Sequence, residues 1–269
     1  MWGWLMPVDI FRQNLGQEQR NCQTHGKLTS TGQQIRIGRV DNVMWTKCPA
    51  CVKALAATDQ ADAQRAVTQK KLDHIATVLD QSAIPKRFIG RTFENFTAET
   101  PDQMITLRTA RRYVAQFDSV LKTGRTLIFF KGNPGTGKSH LACAILQHIM
   151  PEHVGVHTTT MDLVRKLREG WGGKPGSEAQ VLAEVGSLPL LVLDEVGVQF
   201  GSEGERIHLH DVLDKRYRDM LPTILITNAE DSDFQKFVGD RVYDRLTEIG
   251  TWVHFSWASH RTQTHKEAV

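Results

Sequence analysis

From Thr126 onward, short apolar runs alternate with segments of helical period. Thr126-Leu127-Ile128-Phe129-Phe130, Val154–Thr159, Leu188–Asp194, Thr223–Thr227 and Trp252–Phe255 read as strands. Between them Leu141–Leu146, Met161–Trp171, Ile207–Met220 and Arg241–Leu246 carry helical patterns, and Gly170–Gly176 reads as a flexible, glycine-rich loop. The run Leu188-Pro189-Leu190-Leu191-Val192-Leu193 has no polar break, which marks a strand buried on both faces of a parallel sheet. Strands alternating with helices in this way predict an α/β domain. Ahead of it lie a helix over about Pro101–Leu121 and an extended, aromatic lead-in, Pro85–Phe96.

The pattern changes upstream of Pro85. Val52 to about Ser82 has neither glycine nor proline, and Leu72, Ile75, Ala76 and Leu79 fall on one helix face. One long helix, or two in series, is expected there, either lying against a partner or standing as a solvated strut. Ile84-Pro85 ends it, because the residue before a proline disfavours the helical conformation. Gln34–Val40 and Val43–Trp45 read as two short strands joined near Asp41-Asn42. Residues 1–21, rich in Gln and Asn, read as a loosely ordered arm whose Trp2 and Trp4 form either a docking element or a local cap. The chain therefore divides into an arm (1–21), a small cysteine-bearing unit (22–51), a helical connector (52–84) and a nucleotide domain (85–269).

Composition alters this picture little. With 40% hydrophobic and 23% charged residues over 269 positions, the chain has the make-up of a globular protein. No apolar run approaches the roughly 20 residues of a membrane helix, so no membrane partner is expected. Met1–Pro7 lacks the basic start of a signal peptide, and a cytoplasmic setting is the default expectation. A net charge of +3 permits nucleic-acid contact without arguing for it.

The chemistry begins where the first strand of the α/β region meets its helix. Gly132-Asn133-Pro134-Gly135-Thr136-Gly137-Lys138-Ser139 fits G-x-x-x-x-G-K-S without a mismatch and stands in the strand–loop–helix setting that this motif requires. Backbone N–H groups of such a loop, together with the helix N-terminus, form an anion-binding concavity. Lys138 is expected to reach the β- and γ-phosphates of ATP, and the Ser139 hydroxyl to ligate Mg2+. Asp194 and Glu195 end the apolar strand at the carboxyl edge of the sheet, where ligands gather. There Asp194 would hold the Mg2+ shell and Glu195 would polarise the attacking water. Asn228, ending the next strand, would reach the γ-phosphate or that water.

A second chemistry sits near the start. Cys22-Gln23-Thr24-His25 and Cys48-Pro49-Ala50-Cys51 are two pairs, each separated by two residues, and supply three thiolates and one imidazole. That is a tetrahedral Zn2+ set, closed by four protein ligands and so structural. With two short strands between the pairs, the layout is a zinc ribbon. Its core is too small to fold alone, so the metal would hold it. A disulfide fits poorly with a cytosolic nucleotide-binding protein. Arg36, Arg39, Lys47 and Lys53 would make the ribbon basic, and Cys143 reads as a small buried hydrophobe.

Taken together, Gly132–Ser139, Leu190–Glu195, Thr227-Asn228 and Gly239–Leu246 resemble the AAA+ ATPases, and within them the DnaC-type bacterial helicase loaders. Thr92–Phe96, Gly135–Ala142, Leu193–Gln199, Gly239–Arg245 and Phe255-Ser256-Trp257 carry the closeness, which covers about residues 85–265. The IstB transposition helpers share most of these motifs. The resemblance implies a parallel sheet flanked by helices with no separate lid domain. Lys138 and Ser139 would be its Walker A pair, with His140 included in the nucleotide site, and Asp194 and Glu195 its Walker B pair. Asn228 would be sensor 1, and Arg261 resembles a sensor 2. Arg245 resembles the arginine finger offered to a neighbouring subunit's ATP, with Arg241 second in line, which implies self-association through the ATP site. It also implies a DnaB-type replicative helicase hexamer as partner, bound through residues 1–84. Single-stranded DNA would be met by the helix carrying Arg165, Lys166 and Arg168, whose plainer reading is a solvated charged face. The ribbon departs from the enterobacterial loader, whose N-terminal domain has none. Two other readings stay open: a transposase helper acting on duplex DNA, and an ATP-gated adaptor with negligible turnover.

Overall fold

A computed structural model describes residues 10–37, 40–79, 83–130, 133–150, 152–169, 177–197 and 203–260. Gly132, Arg261, the Gly170–Gly176 loop and the Trp2/Trp4 pair lie outside them. The described chain forms two compact units, Met1–Gln64 and Arg65–Val269.

The first unit is a three-stranded antiparallel sheet of β1 (Ile10–Cys22), β2 (Gly26–Ile37) and β3 (Val40–Trp45), in that order. The expected loose arm is thus corrected: from Ile10 it is a strand paired along β2, with Cys22 opposite Gly26. The expected strand junction moves too, since Asp41 and Asn42 lie inside β3, opposite Arg36 and Ile35. Gly26, at φ 76°, makes the tight turn between β1 and β2 that only a residue without Cβ enters cheaply.

Helix α1 (Pro49–Leu79) is one continuous helix, the first of the two arrangements that the absence of glycine and proline allowed. Its second half belongs to the second unit, where Leu72 and Ile75 are buried in the core with Val185 and Leu188. The connector is therefore neither a strut nor a free face at that end, and a domain boundary near residue 84 falls too late.

The second unit has a five-stranded, wholly parallel sheet. It comprises β4 (Thr126–Phe130), β5 (Gly155–Thr159), β6 (Leu190–Asp194), β7 (Thr223–Ile226) and β8 (Gly250–His254), in the order β5-β6-β7-β4-β8. Every residue of β6 and β7 is buried, as unbroken apolarity requires. The helices are α2 (Pro101–Ala115), α3 (Phe117–Thr123), α4 (Lys138–Ile149), α5 (Thr160–Glu169), α6 (Glu178–Gly186), α7 (Glu203–Arg218), α8 (Asp231–Val238) and α9 (Asp240–Ile249). Thr100 and Gln103 form a reciprocal capping box on α2 with Pro101 in its first turn, which fixes where that helix starts. The single helix expected over 101–121 breaks at Gln116 into α2 and α3. One core layer packs α2, α4 and the lead-in residues Phe93 and Phe96 on the sheet; the other packs α5, α6, α7 and α9. Because all five strands run the same way, the carboxyl ends of β4, β6 and β7 lie side by side. Those ends carry the phosphate loop, Asp194 and Asn228.

Candidate functional site

At that edge a cleft of about 1020 Å³ is lined by Pro134 to His140, Asp194, Glu195 and Asn228. Gly135 (φ 88°) and Gly137 (φ 96°) adopt left-handed conformations that let the loop double back into α4. A Cβ at Gly137 would also stand 2.6 Å from the Phe96 ring, so the lead-in closes one side of the loop. Lys138 turns back on the loop itself: its ammonium donates to the Thr136 hydroxyl (3.2 Å) and to the Asn133 carbonyl (3.4 Å). Burial pulls the Lys138 ammonium down to about 8, against a smaller opposing pull from Asp194. A polyphosphate in the cleft would supply the compensating negative charge.

Asp194 is the hub of the opposite wall. Ser139 Oγ donates to its Oδ2 at 2.6 Å, and the Glu195 amide donates to Oδ1 at 2.8 Å. His157, on β5, places Nε2 3.2 Å from the same Oδ2. Burial raises the Asp194 carboxyl, but hydrogen bonds from His157 and Ser139 outweigh it and hold the group below the usual carboxylate range. Asp194 is thus anionic and directed at the Ser139 hydroxyl. A hydroxyl and a carboxylate so placed fit a hard, oxygen-preferring cation such as Mg2+. Glu195 sits at φ 59°, left-handed backbone that non-glycine residues enter at a cost and that clusters at functional sites. Asn228 follows β7, exposed on the cleft wall. His140 lines the cleft but donates from Nε2 to the Thr92 carbonyl at 2.8 Å and packs edge-on against Phe96, so it ties the lead-in to α4.

Arg245 is not in the cleft. It ion-pairs with Asp214 of its own chain, and its guanidinium lies 4.7 Å from the Tyr217 ring centre. Arg241 is 77% exposed, with its guanidinium 3.8 Å from the same Asp214. Three cleft residues escaped the sequence reading. His157 is a lone histidine among the small and β-branched residues of β5, and only the register that sets Thr159 beside Asp194 brings it to the hub. Trp257 and His260 come from the segment after β8. The Trp257 indole N–H donates to the Thr136 carbonyl (3.0 Å), and the His260 amide donates to the Gly135 carbonyl (3.0 Å). Phe255-Ser256-Trp257 stood in the sequence as a likeness, with nothing to show that it meets the loop.

In the first unit Cys22, His25, Cys48 and Cys51 bring four ligand atoms within 4.8 Å of one another. His25 Nδ1 lies 3.7 Å from Cys22 Sγ and Cys48 Sγ and 3.3 Å from Cys51 Sγ, and the Cys22 and Cys51 sulfurs are 3.5 Å apart. Ligands about 2.0–2.3 Å from one zinc ion at tetrahedral angles are separated by about 3.3–3.8 Å, so the donor set fits. Backbone N–H groups of Thr24 and His25 help bring the Cys22 thiol down to about 6, favouring the thiolate that a metal takes. No helix among the described residues is long and apolar enough to cross a membrane.

Residues 95–268 match the family model of the IstB-like ATP binding proteins. The chain is 36% identical over 180 residues to the replicative helicase loader DnaC of Escherichia coli K12, a span covering 65% of this chain and 71% of that one. It is 31% identical over 195 residues to the uncharacterized protein YdaV of the same strain, covering 72% and 77% of the two chains. A crystal structure of the DnaC helicase loader superposes with a TM-score of 0.58 at 27% identity, covering 63% of this chain and 99% of that one. The parallel sheet, the phosphate loop and these likenesses agree, and the chain belongs to the IstB/DnaC-like family of AAA+ ATP-binding proteins.

Proposed function

We propose that this protein is an ATP-dependent loader of a replicative helicase. It would bind the helicase hexamer through its N-terminal region and single-stranded DNA through the AAA+ unit. The observation that carries the ATPase half is the 2.6 Å contact of Ser139 with Asp194 at the mouth of the phosphate loop, with Glu195 next in the chain. Ser139 and Asp194 would hold Mg2+, which supplies charge neutralisation on the phosphates. Lys138 exchanges the Asn133 carbonyl and Thr136 hydroxyl for phosphate oxygens. Glu195 accepts the proton of the attacking water, and Asn228 orients that water against the γ-phosphate. The identity to a protein named as a helicase loader supports the loading half.

Hydrolysis completed by a neighbouring subunit is part of the proposal. Arg245 serves as the finger only if it leaves Asp214, so binding a neighbour's ATP competes with that internal pair. Arg241, more exposed on the same helix, would reach a neighbour at smaller cost. The Arg165 and Arg168 side chains of α5 are exposed while Leu163, Val164 and Leu167 fill the core, which suits a phosphate-contacting face. The four-ligand cluster would hold Zn2+ as a structural ion.

Glu195→Gln is the direct test. ATP binding should persist while turnover falls by on the order of 10²-fold or more, the usual worth of a general base. Parental turnover would refute hydrolysis at this site. For the loading half, the full chain is mixed with helicase hexamer and labelled oligonucleotides, with and without a zinc chelator. Retention of helicase on single strands, lost on chelation, is the expected result. Selective binding of duplex without helicase would favour the transposase-helper reading instead.

A further inference from the structure

Residues 255–260, which follow β8, are bonded to the middle of the phosphate loop. Phe255 anchors it: the ring is fully buried, 5.2 Å from the Phe129 ring centre and 4.9 Å from that of Trp257. From there Trp257 donates its indole N–H to the Thr136 carbonyl, and three residues later the His260 amide donates to the Gly135 carbonyl. The His260 ring keeps the turn in place, with Nε2 3.3 Å from Thr97 Oγ1.

These two acceptors are consecutive. A peptide unit is planar, with its C=O and the next residue's N–H on opposite sides. Holding the Gly135 carbonyl towards the segment therefore turns the Thr136 amide the other way, and holding the Thr136 carbonyl does the same for the Gly137 amide. Both amides belong to the stretch of loop whose N–H groups cradle phosphates. A hydrogen bond to the carbonyl of a peptide also strengthens its N–H as a donor. We propose that residues 255–260 act as a strap that fixes two peptide planes of the phosphate loop with their N–H groups facing the anion, making Trp257 and the His260 amide positioning groups for the nucleotide phosphates. This rests on the ATP-binding reading above and adds to it which part of the chain organises the loop before ATP arrives. Glycines at 135 and 137 make the loop easy to turn, and the strap limits the entropy lost on binding.

Trp257→Phe keeps a ring against Phe255 and deletes the donor. Affinities for ATP, ADP and adenosine are measured by displacement of a fluorescent ADP, alongside thermal melting and a Lys138→Ala control. The Trp257→Phe protein should bind ATP and ADP more weakly, by on the order of fivefold, the worth of one neutral hydrogen bond. Adenosine, having no phosphate, should bind as to the parent, and melting should move little. Parental ATP affinity, or equal losses for adenosine and ATP, would overturn the strap. If Trp257→Phe melts early, His260→Pro against His260→Ala decides, because only proline removes the amide. The proline variant must lose more ATP affinity than the alanine one, and equal affinities would also overturn the proposal. Should the parent bind no ATP, or Lys138→Ala bind it as well as the parent, the ATP-binding reading fails, a result distinct from failure of the strap alone.

Discussion

From Arg65 onward the chain buries two apolar layers around its sheet, with Ile128, Val156, Leu191, Leu193, Ile224 and Leu225 almost wholly shielded from water. Up to Gln64, no apolar side chain of the described residues is among the buried ones, and Phe11, Ile37, Val40, Val43 and Met44 are each at least half exposed. Yet that unit has long, well-paired strands, with β1 and β2 in register from Ile10–Ile37 to Cys22–Gly26 around a bulge near Gly16. Ladder hydrogen bonds alone contribute little net stability, because the unfolded chain makes the same bonds to water. Such a sheet needs an organising centre of another kind, and the Cys22–His25–Cys48–Cys51 cluster is the one at hand. One unit folds by excluding water from carbon; the other would fold by giving four side chains a single ion.

The largest effect expected from that contrast comes from metal removal. A strong chelator, or Cys48→Ser, should unfold the first unit, since about 10–16 kcal/mol of apparent binding energy is lost. Amide exchange should then collapse over 10–45 while β4–β8 remain protected. Protection of β1–β3 without metal would remove the distinction.

Arg216 gives the next effect, in the second unit. It is buried to 1% exposure, and its guanidinium donates to the carbonyls of Val185, Leu188 and Pro222 and to the Thr223 hydroxyl. Burial pushes its pKa down to about 9, but the carbonyl cage replaces the lost water. Arg216→Met would orphan those acceptors and should cost about 3–5 kcal/mol by urea titration, with the Cys22–His25–Cys48–Cys51 cluster untouched. A loss under about 1 kcal/mol would mean the cage is not needed.

Leu225→Ala, at the centre of β7, removes a fully buried side chain and should cost about 2–5 kcal/mol in the same measurement. The counterpart in the first unit is Val43→Ala, at a position 52% exposed, where a shift within about 0.5 kcal/mol is expected. Comparable losses at the two sites would show that the first unit has an apolar core after all.

The same contrast explains what could be read in advance. In the second unit burial dictates residue type, so unbroken runs such as Leu190–Leu193 declare their strands, and a glycine loop between strand and helix declares its ligand. The stripe of Leu72 and Ile75 was legible for the same reason, although what it packs on was not. β1, by contrast, reads Ile-Phe-Arg-Gln-Asn-Leu-Gly-Gln-Glu-Gln-Arg-Asn-Cys. With both faces in water it needs no period of two, and a strand without that period looks like a loose arm. Cysteine spacing nevertheless singled out the four side chains that the structure brings together, because coordination would restrict residue type as strictly as burial does. The bonds that Trp257 and His260 make to the phosphate loop fall on backbone carbonyls, which no side-chain pattern records, and His157 meets Asp194 only through strand order.

Glu195 carries a price in backbone conformation for standing where it does. At φ 59° it occupies ground better suited to glycine, flanked by Asp194, which accepts from its amide, and by Val196, whose amide donates to the Ile226 carbonyl at 2.9 Å. A chain selected for durability alone would place glycine at 195, and Glu195→Gly should yield a sturdier protein with an idle cleft. With Glu195 in the role of base proposed above, keeping a carboxylate on that twisted corner would trade robustness for reactivity.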